Sequence, residues 1–211
     1  MSLHVREFGR PGQPVVVALH GFLGTGENWA ELAGRLNVHL YAPDLPGHGQ
    51  TSARPEGFGG TIALLEEWAQ LHKISDASLL GYSMGGRLAL GWALAHPGRW
   101  RALVLEGTSP GIANPAERTM RATLDDARAR DLIERGVSDF LDDWQALPLF
   151  KSQQLLPPMR RAKMRALRER SRPEGLAWAI AALSPGRQPD YGSRLGELAM
   201  PVHLITGERD E

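Results

Sequence analysis

Short apolar runs alternate with amphipathic segments along the first half of the chain. Each run spans four or five residues, as expected of a strand buried on both faces of a parallel sheet. Segments with helical spacing follow these runs, so the pattern predicts right-handed βαβ units and a doubly wound, mostly parallel α/β sheet. The predicted strands are residues 15–19, 40–43, 77–80, 102–106 and 202–206, and the predicted helices among them are residues 26–36, 62–72 and 87–96.

The alternation stops between residues 109 and 189, where the periodicity is helical and no strand-like run occurs. The predicted helices there are residues 116–135, 137–144, 159–170 and 174–183. We therefore expect a helical lid inserted into an α/β core, which divides the chain into core residues 1–108, lid residues 109–189 and further core residues 190–211.

The lid is strongly basic between Lys151 and Arg172. This stretch contains eight lysines and arginines, and its only acidic residue is Glu169. Such a run is usually a solvated helix face, but arginines that point into a cleft would bind carboxylates through two parallel hydrogen bonds. The sequence leaves both interpretations open.

A serine between glycines stands at the junction of a predicted strand and a predicted helix. Residues 81–87 read Gly-Tyr-Ser-Met-Gly-Gly-Arg, which is the pattern of a nucleophile elbow. The small neighbours of Ser83 allow the strand and the helix to pass closely, and the helix N-terminus favours developing negative charge. The alternative is a glycine-rich turn with an incidental serine, because short motifs often match by chance.

The segment His20-Gly21-Phe22-Leu23-Gly24 follows the first predicted strand. Gly21 permits a tight turn, so the amides of Phe22 and Leu23 are candidates to form an oxyanion hole together with the Met84 amide. The alternative is an ordinary turn in which His20 satisfies backbone groups. We expect a conformational role for His48 in the following polar loop, rather than a catalytic one.

Composition narrows the functional classes. The chain of 211 residues is 42% hydrophobic, which allows one sizeable core, and its 24 basic residues balance 24 acidic ones. This balance argues against a nucleic-acid or membrane-surface binder. Since cysteine, a secretory signal and a long apolar run are absent from the sequence, we expect a soluble cytoplasmic protein without cofactor or metal. The oligomeric state stays open.

Taken together, these motifs resemble the α/β-hydrolase superfamily over essentially the whole length. In finer detail they resemble its 2-succinyl-6-hydroxy-2,4-cyclohexadiene-1-carboxylate synthase family, which belongs to menaquinone biosynthesis. The finer resemblance is carried by residues 20–24 with Trp29, residues 81–87, 105–107, 110–112 and 116–118, and by Arg121, Asp143, Trp144, Leu167, Arg168 and residues 207–210.

The resemblance implies a lyase that eliminates pyruvate from a carboxylated cyclohexene. Ser83, activated by a histidine paired with Asp210, would act as the base, and a small polycarboxylate would be the substrate. The implied oxyanion donors are Phe22 and Met84, and the implied substrate-binding residues are His20, Tyr82, Arg87, Arg121, Trp144 and Arg168. The alternatives are a serine carboxylesterase or C–C bond hydrolase that uses the same Ser83. For the lid residues, surface arginines and a lid-core tryptophan are the plainer interpretations.

One expected residue has no counterpart. The catalytic histidine of the superfamily follows the acid after one further strand, and none of the seven histidines here occupies that position. His203 lies inside the last predicted strand, where we expect it to be buried. The sequence therefore predicts that a C-terminal strand and helix are missing from this chain, the alternative being a non-catalytic relative without its base.

Overall fold

The computed structural model describes residues 2–208, and its centre is a six-stranded sheet. The strands are β1 (Val5–Phe8), β2 (Val15–Leu19), β3 (His39–Pro43), β4 (Ala77–Tyr82), β5 (Trp100–Glu106) and β6 (Val202–Ile205). Their spatial order is β1-β3-β2-β4-β5-β6, and all neighbours are parallel except β1 and β3. The predicted mostly parallel sheet is confirmed. The hydrophobic pattern does not reveal β1, because an edge strand of four residues with mixed polarity shows no clear alternation of apolar and polar positions.

Within residues 2–208, six α-helices connect and cover the strands. They are α1 (Ala30–Ala33), α2 (Gly57–Leu71), α3 (Met84–Ala95), α4 (Pro115–Ala146), α5 (Pro158–Glu169) and α6 (Pro173–Ala182). Short 3₁₀ helices occupy Gly26–Trp29, Pro148–Leu155 and Gly192–Glu197. The predicted helix over residues 26–36 is shorter than expected. A 3₁₀ helix occupies its first four residues, and α1 ends at Ala33 with Gly34 as its C-cap. Gly136 interrupts α4 with φ +81°, which matches the predicted break between two helices.

Two apolar clusters pack the helices against the sheet and against the loop after β2. The larger one packs α2 and α3 onto the sheet around the fully buried residues Trp92, Leu88 and Leu79. The smaller one joins α4 and α6, and it also contains Leu23 from the loop after β2. The helices of the lid therefore pack against the loop that carries the predicted oxyanion donor.

The last strand is less covered than expected. Among the described strands β6 pairs only with β5, and all four of its residues are exposed, Leu204 to 70%. The expected burial of His203 is therefore wrong, because an edge strand without a packed neighbour leaves its side chains open to solvent. No helix among residues 2–208 is long and apolar enough to cross a membrane.

Candidate active site

Ser83 occupies a strained turn between β4 and α3. Its backbone has φ +51° and ψ −113°, a conformation that residues other than glycine rarely adopt. The Ser83 amide donates to the Glu106 carbonyl of β5 at 2.8 Å, and helix α3 begins at the next residue. Ser83 thus lies at the carboxyl end of a central strand and at a helix N-terminus, where this class of sheet binds its ligands.

The surrounding glycines allow the close approach of three chain segments. A Cβ at Gly85 would lie 2.2 Å from the Leu19 carbonyl oxygen, and a Cβ at Gly81 would lie 2.5 Å from the Gly86 Cα. Both obstacles are backbone atoms, which cannot rotate away as a side chain can. The elbow therefore needs glycine at these positions for steric reasons.

We expect Gly85→Ala to destabilise the protein by at least about 3 kcal/mol, since the new methyl group overlaps the β2 backbone. Gly59→Ala is the matched control: it also changes a helical glycine, but nothing lies within 4 Å of its Cβ position. That change should be neutral or stabilise by up to about 1 kcal/mol. Urea unfolding followed by tryptophan fluorescence measures both, and equal midpoints for the two variants would contradict the steric account.

The Ser83 side chain opens into a cavity of about 950 Å³ between the sheet and the lid. Six other predicted site residues line the same cavity: Phe22, Tyr82, Met84, Arg87, Arg121 and Trp144. His20 and Arg168 line an adjacent pocket of about 210 Å³, which shares Phe22, Tyr82 and Glu106 with the first. Asp210, the predicted acid, lies outside the described residues.

One of the candidate oxyanion donors is already engaged. The Leu23 amide donates to Nε2 of His48 at 3.3 Å, so it does not point at a substrate oxygen as proposed for it above. Phe22 and Met84 line the same cavity as Ser83. Phe22 and Met84 stay the predicted pair of donors.

His20 makes hydrogen bonds with loop backbone, and its predicted contact with substrate stays a prediction. Its Nδ1 lies 2.8 Å from the Gly21 carbonyl oxygen, and its Nε2 accepts from the Leu45 amide at 2.8 Å. Burial lowers the pKa of His20 to about 4, so the ring is neutral at physiological pH. Both ring nitrogens of His20 are therefore engaged by loop backbone, and the residue also lines the adjacent pocket.

Arg87 is anchored in the cavity wall. It is 9% exposed, and its NH1 donates to the Leu183 carbonyl at 2.9 Å and to Gln188 Oε1 at 3.1 Å. Burial lowers the pKa of Arg87 to about 10, with Arg121 adding to this and Asp125 opposing it. Arg87 thus remains protonated near neutral pH, and both groups that accept from it are uncharged. Its positive charge is available to a bound anion.

Asp125 is a site residue that the sequence analysis missed. Its fully buried carboxylate accepts from Arg121 Nε at 2.8 Å, from Arg128 at 3.0 Å and from the Ser184 hydroxyl at 2.7 Å. The spacing of four and three residues along one helix would have indicated this ion-pair cluster. Asp125 holds Arg121 by one edge of its guanidinium. Among the described residues that line the cavity, the arginines Arg87 and Arg121 stand against the carboxylates of Glu106 and Asp125, and Asp125 also pairs with Arg128.

Trp144 packs among aromatic rings at the base of the lid. Its ring stacks on Phe140 at 5.5 Å and meets Phe22 edge-on at 5.2 Å, and the Arg128 guanidinium lies 5.2 Å above it. Trp144 therefore packs within the lid and also lines the cavity. Its contact with Phe22 links the lid to the loop after β2.

The basic run divides between solvent and site. Arg160, Arg161 and Lys163 are exposed, and Arg165 is paired with Asp142 and Glu169. Arg168 turns inward to the pocket beside Tyr82, where burial lowers its pKa and Tyr82 opposes the shift. Part of the run is therefore a solvated face, and Arg168 lines a pocket; that it binds a carboxylate stays a prediction.

The chain is similar to proteins of a known family. Residues 14–211 match the family model described as alpha/beta hydrolase fold. The chain belongs to the alpha/beta hydrolase fold family. The predicted α/β-hydrolase fold is thereby confirmed.

Named relatives within this hydrolase family agree with the finer resemblance. A 2-succinyl-6-hydroxy-2,4-cyclohexadiene-1-carboxylate synthase of Salmonella typhimurium (strain LT2) is 36% identical, covering 100% of this chain and 83% of the relative. A Bacillus subtilis (strain 168) protein that carries the same name in provisional form is 38% identical, covering 98% and 77%. The solved structure of MenH from S. aureus superposes with a TM-score of 0.92 at 35% identity, covering 98% and 80%.

A catalytic histidine is not found beside Ser83 of this hydrolase-family chain. All seven histidines lie within residues 2–208, and none of them lines the Ser83 cavity. In the same range no group of three or more His, Asp or Glu residues is arranged to hold a metal ion. The described part of the site therefore consists of a nucleophile elbow, two candidate amide donors and a wall that contains Arg87 and Arg121.

Proposed function

We propose that the protein is a 2-succinyl-6-hydroxy-2,4-cyclohexadiene-1-carboxylate synthase, a carbon–oxygen lyase of menaquinone biosynthesis. The observation that carries this proposal is the cavity itself, which Ser83 lines together with Arg121 and with Arg87, whose hydrogen-bond acceptors are uncharged. The product name implies two carboxylates, and the eliminated pyruvate accounts for a third. Two guanidinium groups in one cavity suit such a substrate better than they suit an uncharged ester.

The chemistry follows from the product. A proton leaves the ring carbon next to the succinyl carbonyl, the ring double bond shifts, and the bond between a ring carbon and the pyruvyl enol oxygen breaks. The released enol takes up a proton and becomes pyruvate. Negative charge develops on the succinyl carbonyl oxygen during this elimination, and we assign its stabilisation to the amides of Phe22 and Met84.

Ser83 is the proposed base for the carbon acid. A serine hydroxyl needs a partner that takes its proton, and in this proposal a histidine oriented by Asp210 fulfils that role. Arg87, Arg121 and Arg168 would bind the carboxylates, with Tyr82 and Trp144 as further walls. The proposal requires no cofactor, and the absence of cysteine fits a cytoplasmic location.

A pyruvate assay tests the proposed function directly. The complete natural protein is mixed with the carboxylated cyclohexene intermediate, and pyruvate is followed by coupled NADH oxidation with lactate dehydrogenase. Pyruvate release with formation of the cyclohexadiene supports the proposal. Hydrolysis of short-chain esters with covalent capture of Ser83 by a phosphonate, without pyruvate, would instead support a serine hydrolase, whose acyl-enzyme the lyase does not need.

Arg121 offers a prediction on binding. We expect Arg121→Ala to lower kcat/KM for pyruvate release by about 10- to 100-fold, because a charge-assisted hydrogen bond to a carboxylate contributes about 1.5–3 kcal/mol. Arg135→Ala is the control on the same helix, since Arg135 pairs with Asp131 and Asp143 and does not line the cavity. Steady-state kinetics compare the two, and equal values for both variants would remove Arg121 from the proposed site.

A further inference from the structure

Two buried histidines connect the loops after β2 and β3 reciprocally. His20 Nε2 accepts the Leu45 amide at 2.8 Å, and His48 Nε2 accepts the Leu23 amide at 3.3 Å. The rings meet edge to face with centroids 5.0 Å apart, and each is 1% exposed. Each loop thus supplies an acceptor for the backbone of the other.

The tautomer of both rings follows from their partners. His20 Nδ1 lies 2.8 Å from the Gly21 carbonyl oxygen, and His48 Nδ1 lies 3.1 Å from the Pro46 carbonyl oxygen. Since a carbonyl oxygen can only accept, Nδ1 carries the hydrogen in each ring and Nε2 carries the lone pair. Both histidines therefore act as neutral rings that donate at one nitrogen and accept at the other.

These contacts hold the peptide plane that contains the Phe22 amide. The Gly21 carbonyl oxygen accepts from His20 Nδ1 and also from the Gly24 amide at 3.0 Å. In a planar trans peptide the N–H points away from the C=O, so holding the Gly21 oxygen directs the Phe22 N–H to the opposite side. His20 therefore determines the direction of the amide that the proposed function uses.

The next peptide plane is held by His48. The Leu23 amide belongs to the peptide that follows Phe22, and Leu23 adopts φ +65°, which is unusual for a residue with a β-carbon. A strained residue keeps such a conformation only when its surroundings impose it, and the hydrogen bond to His48 Nε2 is such a constraint. His48 also meets the Phe22 ring edge-on at 5.7 Å. Both peptides on either side of the Phe22 Cα are thus fixed.

We infer that His20 and His48 are positioning residues that together aim the Phe22 amide at the oxyanion. This inference rests on the proposed function in taking Phe22 as an oxyanion donor. Neither ring needs to touch the substrate, since their effect passes through the peptides at residues 21–23. A misdirected amide weakens stabilisation of the transition state more than binding of the ground state, so the loss belongs in kcat rather than in KM.

A pair of substitutions at His48 separates this role from simple packing. In His48→Gln the amide oxygen reaches the position of Nε2 and can still accept from Leu23. In His48→Asn the amide nitrogen keeps the donor near Pro46, but no atom remains at the acceptor position. We expect His48→Asn to lower kcat for pyruvate release by about 10- to 100-fold with KM within about threefold, and His48→Gln to restore most of that loss.

The structural readout is hydrogen exchange of the Leu23 and Phe22 amides by NMR, on samples whose circular dichroism matches the wild type. Faster exchange at Leu23 in His48→Asn, but not in His48→Gln, supports the inference. Equal kcat in the two variants, or a change confined to KM, overturns it. If the wild type releases no pyruvate, the proposed function fails. The two His48 variants are then compared by the rate at which a nitrophenyl phosphonate captures Ser83. Equal capture rates overturn the inference independently of the proposed function.

Discussion

Replacing Ser83 with alanine is expected to lower kcat for pyruvate release by about three to six powers of ten. Removal of the reactive serine of a serine–histidine–aspartate triad costs this much, because the remaining groups no longer act together. The hydroxyl stands where β4 ends and α3 begins, in the cavity that Arg87 and Arg121 also line. KM should change little, since Arg87 and Arg121 are untouched.

Ser193→Ala serves as the control, because Ser193 is exposed and does not line the cavity. It should keep wild-type kinetics. A Ser83→Ala protein that folds normally yet retains more than a tenth of the wild-type kcat would show that another group removes the proton. The elbow would then be a structural feature of the fold rather than the source of the base.

Lowering the pH from 7 to 5 is expected to reduce the free energy of unfolding by about 4 kcal/mol through His20 and His48. Burial lowers the pKa of His20 from 6.5 to about 4, and burial together with the neighbouring His20 lowers that of His48 to about 3. Asp44 opposes both shifts, and Arg6 adds to that of His20. Between these values and 6.5 the unfolded chain binds protons that the folded chain does not, so stability falls as the pH falls. At pH 5 each histidine lies about 1.5 pH units below its unfolded pKa, which corresponds to about 2 kcal/mol.

Asp44 does not change this window. Its burial would raise its pKa, but hydrogen bonds from the amides of Gln50 and Gly26 and the charge of Arg6 hold the pKa below its usual value of 3.8. The stability that this carboxylate contributes is therefore lost only at pH values below 3.8, outside the range of the measurement. The decline between pH 6.5 and pH 5 belongs to the two histidines.

Urea unfolding at a series of pH values measures this effect. The double variant His20→Gln/His48→Gln carries no titrating ring at either position, so its stability should decline about 4 kcal/mol less between pH 7 and pH 5. His203→Gln is the control, because His203 is exposed on β6. An identical pH dependence in the wild type and the double variant would contradict the assignment.

Local sequence was sufficient for the elements and the elbow. Strands β2 to β5 follow from their apolar runs, since a strand buried on both faces cannot contain polar residues at most positions. Strand β6 carries a similar apolar signal, although its residues are exposed. The elbow follows from residues 81–87 because steric demands within one strand–turn–helix unit act on neighbours in the chain. The break at Gly136 was predictable for the same reason, as was the conformational character of the His48 loop.

Contacts between residues that are distant in sequence could be identified only in the tertiary structure. Whether a histidine such as His20 binds a ligand or the backbone depends on what lies across from it, and here the partner is the Leu45 amide, 25 residues away. The anchoring of Arg87 by Leu183 and Gln188 and the contact of Ser184 with Asp125 likewise join segments dozens of residues apart. Burial of Arg168 and exposure of His203 depend on packing neighbours that periodicity does not reveal.

The sequence by itself determined that this chain forms an alpha/beta hydrolase sheet with Ser83 at a nucleophile elbow, because both are consequences of local pattern and sterics. Only the tertiary structure decided which arginines reach the Ser83 cavity and which polar residues serve the backbone instead. The physical reason is that charge compensation and hydrogen-bond satisfaction are properties of a site in space. The residues that meet in this site come from the ends of β2, β4, β5 and β6, from α3 and from the lid.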